Sequence, residues 1–207
     1  MERPNWDEYF MAIAHVVATR SNCCRRQVAA VIVKDNRIIS TGYNGTPRGI
    51  KNCNEGGCRR CNSDVPHGKS LDECLCSHAE ENAITQAAYH GISVKGATLY
   101  TTYSPCLMCA KMIINSGIAK VIYNEPYATS NGVVLLMQAG IPTVSFDCDK
   151  DSLTANIYHT IEQLKLNEKE NKNGKNHISN NRRSGGVFRA RLLHDEHNAE
   201  IGILEDQ

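Results

Sequence analysis

Between Trp6 and Arg20 the large apolar side chains fall at Trp6, Tyr9, Phe10, Ile13 and Val17, the three-to-four-residue spacing of one helix face. Asn5 stands just before this run with Glu8 three residues on, so the pattern predicts a helix opened by a capping box. The period then shortens. Val28–Val33 and Arg37–Thr41 are β-rich runs, and Lys34-Asp35-Asn36 between them has the polar chemistry of a hairpin turn. The next segment, Gly42-Tyr43-Asn44-Gly45-Thr46-Pro47-Arg48-Gly49, stops any regular element and suits close backbone approach to a ligand, which makes it a candidate part of a site. From Lys51 to Ser77 there is no period, and an irregular stretch of that length inside a compact domain requires a function or a staple.

Beyond Ser77 helical and extended patterns alternate: helix 78–90, strand 97–101, helix 105–116, strand 119–123, helix 131–139, strand 142–146 and helix 151–166. Such alternation implies crossover connections and a largely parallel sheet packed on both faces. Together with the hairpin it predicts an α/β fold, a three-layer α/β/α domain on a five-stranded mixed sheet over residues 1–166. At Leu166 the character changes: residues 167–176 contain no apolar side chain and 180–186 are polar with a glycine pair, so 167–207 reads as a largely disordered tail. Lys169, Lys172, Lys175, Arg182, Arg183, Arg189 and Arg191 precede Asp195, Glu196, Glu200, Glu205 and Asp206, the pattern of a solvated segment, with contact to a polyanion as the lesser reading.

The charge balance, 23 Lys+Arg against 22 Asp+Glu in 207 residues, supplies no global handle on nucleic acid or an anionic membrane and favours a small-molecule ligand. No apolar run approaches the ~18 residues of a membrane helix, and Met1–Asp7 lacks the apolar stretch of a secretion signal, so a cytoplasmic protein is expected. Ten cysteines are the outlier in this composition. Cys23 and Cys24 are adjacent, Cys53, Cys58, Cys61, Cys74 and Cys76 crowd the irregular stretch, Cys106 and Cys109 form a C-x-x-C, and Cys148 stands alone. In a reducing compartment such clusters are metal ligands, with an oxidised disulfide scaffold as the competing reading.

Two of these segments carry catalytic chemistry. Ser77-His78-Ala79-Glu80 opens one expected helix and Ser104-Pro105-Cys106-Leu107-Met108-Cys109 opens another, with Pro105 as a first-turn proline. Cys106 and Cys109 share a helix face, and a helix N-terminus stabilises thiolates. With His78 they make a Cys₂His set that leaves a fourth zinc position for water, the arrangement of a catalytic site. Glu80 is placed to take a proton from that water and deliver protons to a substrate ring nitrogen and leaving amine. H-x-E followed by P-C-x-x-C is the established pattern of zinc-dependent nucleobase deaminases. Either half alone is weak: H-A-E is an ordinary helix start, and C-x-x-C is also a redox or structural motif.

At these residues the chain resembles the deoxycytidylate deaminases of the cytidine deaminase superfamily. The resemblance covers residues 5–147 and includes Trp6–Met11, Arg20-Ser21, Val31–Val33, the Gly42–Pro47 loop, His78–Ile84, Pro105–Lys111 and Ile113–Ile118. The G-Y-N-G-x-P loop is similar to the nucleotide branch of that superfamily. The resemblance implies hydrolytic deamination of dCMP to dUMP, feeding thymidylate synthesis, in a homo-oligomer, often a hexamer, activated by dCTP and inhibited by dTTP, with Mg²⁺ accompanying the effector. It implies that Asn44 hydrogen-bonds sugar or base and that Arg20, Arg25, Arg26 and Tyr123 are candidates for the 5′-phosphate. The plainer readings are a turn-forming asparagine, helix-end or solvated arginines and a packed tyrosine. Ala29 and Glu81 depart from the family, which often has glycine and leucine there.

Some members of the family carry a further, structural zinc, and by that resemblance Cys23, Cys53 and one of Cys74 or Cys76 occupy its ligand positions. Cys58 and Cys61 are further candidates, because their spacing is itself a zinc half-site. These thiols exceed the four that one closed zinc requires, so either some are spectators or a second structural ion exists, with His67 as a further donor. One extra zinc, folding the 52–77 loop over the substrate site, is the expectation, with Cys24 and Cys148 as ordinary cysteines. The competing functions are deamination of another cytosine or adenine compound, including a nucleic acid base, and a catalytically silent zinc-binding interaction module.

Overall fold

The computed structural model of the chain describes residues 3–66, 68–127 and 130–146. The expected helix 151–166, the tail 167–207, His67 and Cys148 lie outside the described residues. The elements run α1 (Trp6–Ala18), β1 (Ala29–Lys34), β2 (Arg37–Tyr43), α2 (Ala79–Tyr89), β3 (Thr98–Tyr103), α3 (Leu107–Ser116), β4 (Lys120–Glu125), α4 (Asn131–Gln138) and β5 (Thr143–Ser145). No described helix is long and apolar enough to cross a membrane.

Asn5 caps α1 as expected: its side chain accepts from Glu8 N, and the Glu8 carboxylate accepts from Asn5 N. The buried face differs from the expected stripe. Phe10, Met11, Ala14 and Ala18 are buried, Ile13 and Val17 pack from the side, and Trp6 and Tyr9 remain exposed, with Trp6 stacked on Phe10 at 5.5 Å. Small alanines let the helix lie close to the sheet, and the bulky rings are left at its rim. In the hairpin, Asp35 and Asn36 both have positive φ (51° and 56°) between the paired Lys34 and Arg37, the two-residue turn that matches strand twist.

The five strands form one mixed sheet in the order β2-β1-β3-β4-β5. β1 is antiparallel to both β2 and β3, whereas β3–β4 and β4–β5 are parallel. The largely parallel sheet expected from the alternation is therefore only half parallel: the crossover through α2 passes over β1 and seats β3 on its far side. Strand β1 is buried on both faces. Ala30 and Ile32 meet Ala83, Leu99, Ile113 and Leu136 on the side of α2, α3 and α4, while Val31 and Val33 meet Phe10, Met11, Tyr100 and Ile122 on the side of α1. The described residues thus form helix, sheet and helix layers.

Close approach at Gly42 fixes α2 on the sheet. A Cβ there would stand 2.2 Å from Ala79 O and 2.3 Å from Ala83 N. Ser40 Oγ donates to Ala83 O (2.7 Å) and Asn82 Nδ2 donates to Tyr43 O (2.8 Å), so the start of α2 is pinned to the end of β2. The loop glycine expected to admit a ligand instead admits a helix backbone. Gly132 does the same for α4, where a Cβ would meet Pro105 O at 2.0 Å. Gly42→Ala is expected to lower stability by about 1–3 kcal/mol, the cost of overpacking, and to reduce zinc retention by displacing α2. Thermal melts and metal analysis of the purified variant check this, and wild-type values in both would refute it.

Candidate active site

The C-terminal ends of β2 and β3 and the N-terminal end of β1 lie together, since Ala29 pairs with Tyr43 and Ala30 with Thr101. The N-termini of α2 and α3 open at this sheet end. His78 is the N-cap of α2, and Cys106 is the N-cap of α3. Pro105 therefore precedes the cap and is not the first helical residue, because Cys106 already has extended φ/ψ (−72°, 171°). Cys109 follows within the first turn of α3 and is buried.

The three ligand candidates converge. His78 Nδ1 lies 3.4 Å from Cys106 Sγ and 3.4 Å from Cys109 Sγ. A tetrahedral zinc with ordinary Zn–S and Zn–N bonds gives an S···N edge of about 3.5 Å, so this donor set fits the ion in both chemistry and size. The Cys106 thiol is held down at about 4 by its hydrogen bond with Cys109 and, against the cost of burial, by His78. His78 is raised to about 9 by the hydrogen bond with Cys106, and the Cys109 thiol is pushed up by sharing a proton with Cys106 and by burial. The trio thus organises thiolate charge and protons that a divalent cation displaces on binding.

Glu80, one residue inside α2, is buried, and desolvation raises its pKa. It lines the same cavity of about 230 Å³ as His78, Cys106 and Ser104. A buried, protonatable carboxyl beside a metal ligand set is equipped to carry protons in either direction. Glu81, which departs from the family pattern, has a positioning role. Its Oε2 accepts from His78 N (3.1 Å) and its Oε1 from Ser77 Oγ (3.2 Å), fixing the backbone that carries His78.

The expected substrate contacts divide. Asn44, Arg25 and Arg26 line the cavity; Arg20 and Tyr123 are not among its lining residues. Asn44 Oδ1 accepts from Val28 N (2.9 Å) and Ser21 Oγ (2.6 Å), and its Nδ2 donates to Arg26 O (2.8 Å), which leaves one amide hydrogen for a ligand. The Arg25 guanidinium donates to Cys61 O (2.8 Å) and Ser63 O, holding the irregular loop. Arg26 lies 4.7 Å from the Tyr103 ring centre and 5.8 Å from that of Tyr127. Tyr103, Ser104 and Tyr127 line the cavity but were not expected. The first two adjoin Pro105 and were within reach of a local argument, whereas Tyr127 carries no sequence signal.

All six candidate structural cysteines gather at the same sheet end, and their Sγ atoms fall into overlapping groups. Nine described cysteines are free thiols, so the disulfide scaffold is not what holds this region together. Cys24 is exposed, with its thiol toward Cys53 O (3.3 Å).

Residues 4–125 match the family described as the cytidine and deoxycytidylate deaminase zinc-binding region. The chain belongs to this family. Among its deaminase relatives, the deoxycytidylate deaminase of Schizosaccharomyces pombe is 51 % identical over 137 residues, covering 66 % of this chain and 42 % of that protein. The deoxycytidylate deaminase of Saccharomyces cerevisiae is 46 % identical over 145 residues, covering 70 % and 46 %. The chain thus spans less than half the length of these two relatives. The crystal structure of the dCMP deaminase of cyanophage S-TIM5, in complex with dCMP and dUMP, aligns with a TM-score of 0.60 and 33 % identity, over 70 % of this chain and 100 % of that one.

For a deaminase-family site built this way, Glu81→Ala should cost about 1 kcal/mol, the usual worth of a helix cap. It should also weaken zinc retention, with Glu81→Gln retaining most of both. Thermal unfolding and metal content measure the effect, and an Ala variant indistinguishable from wild type would remove the positioning role.

Proposed function

We propose that the chain deaminates dCMP hydrolytically to dUMP and ammonia, supplying dUMP for thymidylate synthesis. The observation that carries this reading is the convergence of His78, Cys106 and Cys109 beside buried Glu80 in one cavity. The family match and the names of the similar proteins, deoxycytidylate deaminases from two yeasts and a dCMP- and dUMP-bound phage enzyme, support the same substrate. His78, Cys106 and Cys109 would hold the zinc, which would supply Lewis acidity and lower the pKa of a water to about 7.

Glu80 takes the proton from the attacking water and passes protons to ring N3 and then to the departing amine as the C4–N4 bond breaks. Its raised pKa suits both directions of transfer. Ser104 and Tyr103 wall the cavity beside the metal ligands, and Arg26, with Arg25, supplies positive charge for the 5′-phosphate. Asn44 offers its remaining amide hydrogen to sugar or base. A cavity of about 230 Å³ has room for a single pyrimidine nucleotide unit.

A cytoplasmic homo-oligomer, responsive to dCTP and dTTP with Mg²⁺, completes the proposal. Exposed Leu107, Met108, Val134 and Met137 on α3 and α4 support assembly through that face. Light scattering of the full chain is expected to report a multimer, and a monomer at micromolar concentration would refute that part.

Ultraviolet-monitored turnover of dCMP, beside cytidine, dCTP and single-stranded DNA, with and without dCTP and Mg²⁺ as effector, tests the activity. Turnover confined to dCMP is expected. Glu80→Ala should keep its zinc and lose at least a factor of about 10²–10⁴ in kcat, the usual contribution of general acid–base catalysis. Near-normal turnover of that variant would overturn the mechanism. Turnover on another base, or none from the zinc-loaded protein, would overturn the substrate.

A further inference from the structure

The six cysteines around the irregular loop form two overlapping sets of four. The Sγ atoms of Cys23, Cys53, Cys61 and Cys76 all lie within 4.8 Å of one another, and so do those of Cys58, Cys61, Cys74 and Cys76. Cys61 and Cys76 belong to both sets. We propose that these six thiolates hold a binuclear zinc cluster: Cys61 and Cys76 bridge two ions, Cys23 and Cys53 complete one, and Cys58 and Cys74 complete the other.

Coordination arithmetic favours this assignment over the single structural ion expected from the sequence. Two tetrahedral zincs present eight positions, and six thiolates fill them only when two are shared. One ion would leave two of six converging thiols without a metal. Spacing agrees as well. A Zn–S bond of about 2.3 Å gives a tetrahedral S···S edge near 3.8 Å, and Cys61–Cys74, Cys58–Cys74 and Cys23–Cys61 are separated by 3.6, 3.9 and 4.0 Å. These distances are far beyond the ~2.05 Å of a disulfide bond.

The loop's backbone and charge support such a cluster. Six thiolates against two Zn²⁺ leave a net charge of about −2, which needs donors and cations nearby. Leu75 N donates to Cys58 Sγ (3.4 Å), and Arg25 and buried Arg60 hold the same loop through Cys61 O and Lys69 O. Asn62 Nδ2 donates to both Cys53 O and Cys58 O at 2.8 Å, drawing two ligand turns together. The pairs Cys58-x-x-Cys61 and Cys74-x-Cys76 each contribute one terminal and one bridging thiolate. The local ion thus closes the loop on itself, and the other stitches it to Cys23 in the α1–β1 connection. Cys76 lies two residues before His78, so the cluster anchors the segment that delivers that histidine, which is also tied to the Gly45 loop by the Gly45–Ser77 bridge.

Metal counting tests the cluster independently of any substrate. Native mass spectrometry and elemental analysis of the full zinc-loaded chain should find three zincs per chain, and His78→Ala should retain two. Loaded with ¹¹³Cd, the His78→Ala variant should give two all-sulfur cadmium resonances split by coupling through the shared thiolates. Cys76→Ser should lose both ions, and Cys23→Ser only one. If the cysteine variants fail to fold, the wild-type count and the cadmium splitting decide the matter. One zinc remaining in His78→Ala, or a single or unsplit cadmium signal, would overturn the bridged cluster.

Discussion

The site depends on two helix N-termini being held within one tetrahedral edge of each other. His78 caps α2 and Cys106 caps α3, and the 3.4 Å between Nδ1 and each thiol is set by where those two helices begin. A helix start is a sensible place for such ligands. Its unpaired amides stabilise thiolate charge, and its cap residue has non-helical backbone that can point a side chain out of the helix. The same feature puts Glu80 close to His78 but with its carboxyl turned into the cavity, a separation that mid-helix spacing would not produce.

Small residues make that meeting possible. Gly42 lets the backbone of α2 rest on β2, and Gly132 lets α4 close against the Pro105–Cys106 turn. Alanines dominate the buried face of α2, where Ala79, Ala83 and Ala87 touch the core. The packing consequently leaves little slack, and in a close-packed interior a shift of one helix start would be transmitted to the ligand geometry.

The stretch from Lys51 to Ser77 is held by a different physics. Apart from two single 3₁₀ turns, at Cys53–Glu55 and Leu71–Glu73, its described residues form no regular element, so local turn hydrogen bonds are supplemented by side chains: Arg25, Arg60 and Asn62 each donate to loop carbonyls. Thiols take the place of a hydrophobic core in this segment, with Cys53, Cys58, Cys61 and Cys76 buried among themselves. Arg25 illustrates how this alters a local reading. An arginine lining a cavity of this kind suggests a phosphate ligand, yet its guanidinium also donates to Cys61 O and Ser63 O of the loop.

Hydrophobic period, turn chemistry and two short motifs predicted the order of the described elements, the capping box at Asn5, the hairpin and the two short candidate segments, His78–Glu80 and Cys106–Cys109. Each is a local property, encoded by residues within about one or two turns of one another. Contacts between distant segments were not legible in that way. The antiparallel seating of β1 between β2 and β3, the burial of Ala14 in place of Trp6, the packing of Gly42 against a helix, the arrival of Tyr127 in the cavity and the sharing of Cys61 and Cys76 between two ligand sets all depend on how far-separated segments meet. Pattern along the chain specifies which chemistry each segment can offer; only packing, where volume and hydrogen-bond capacity must be satisfied jointly, decides which of those groups face one another.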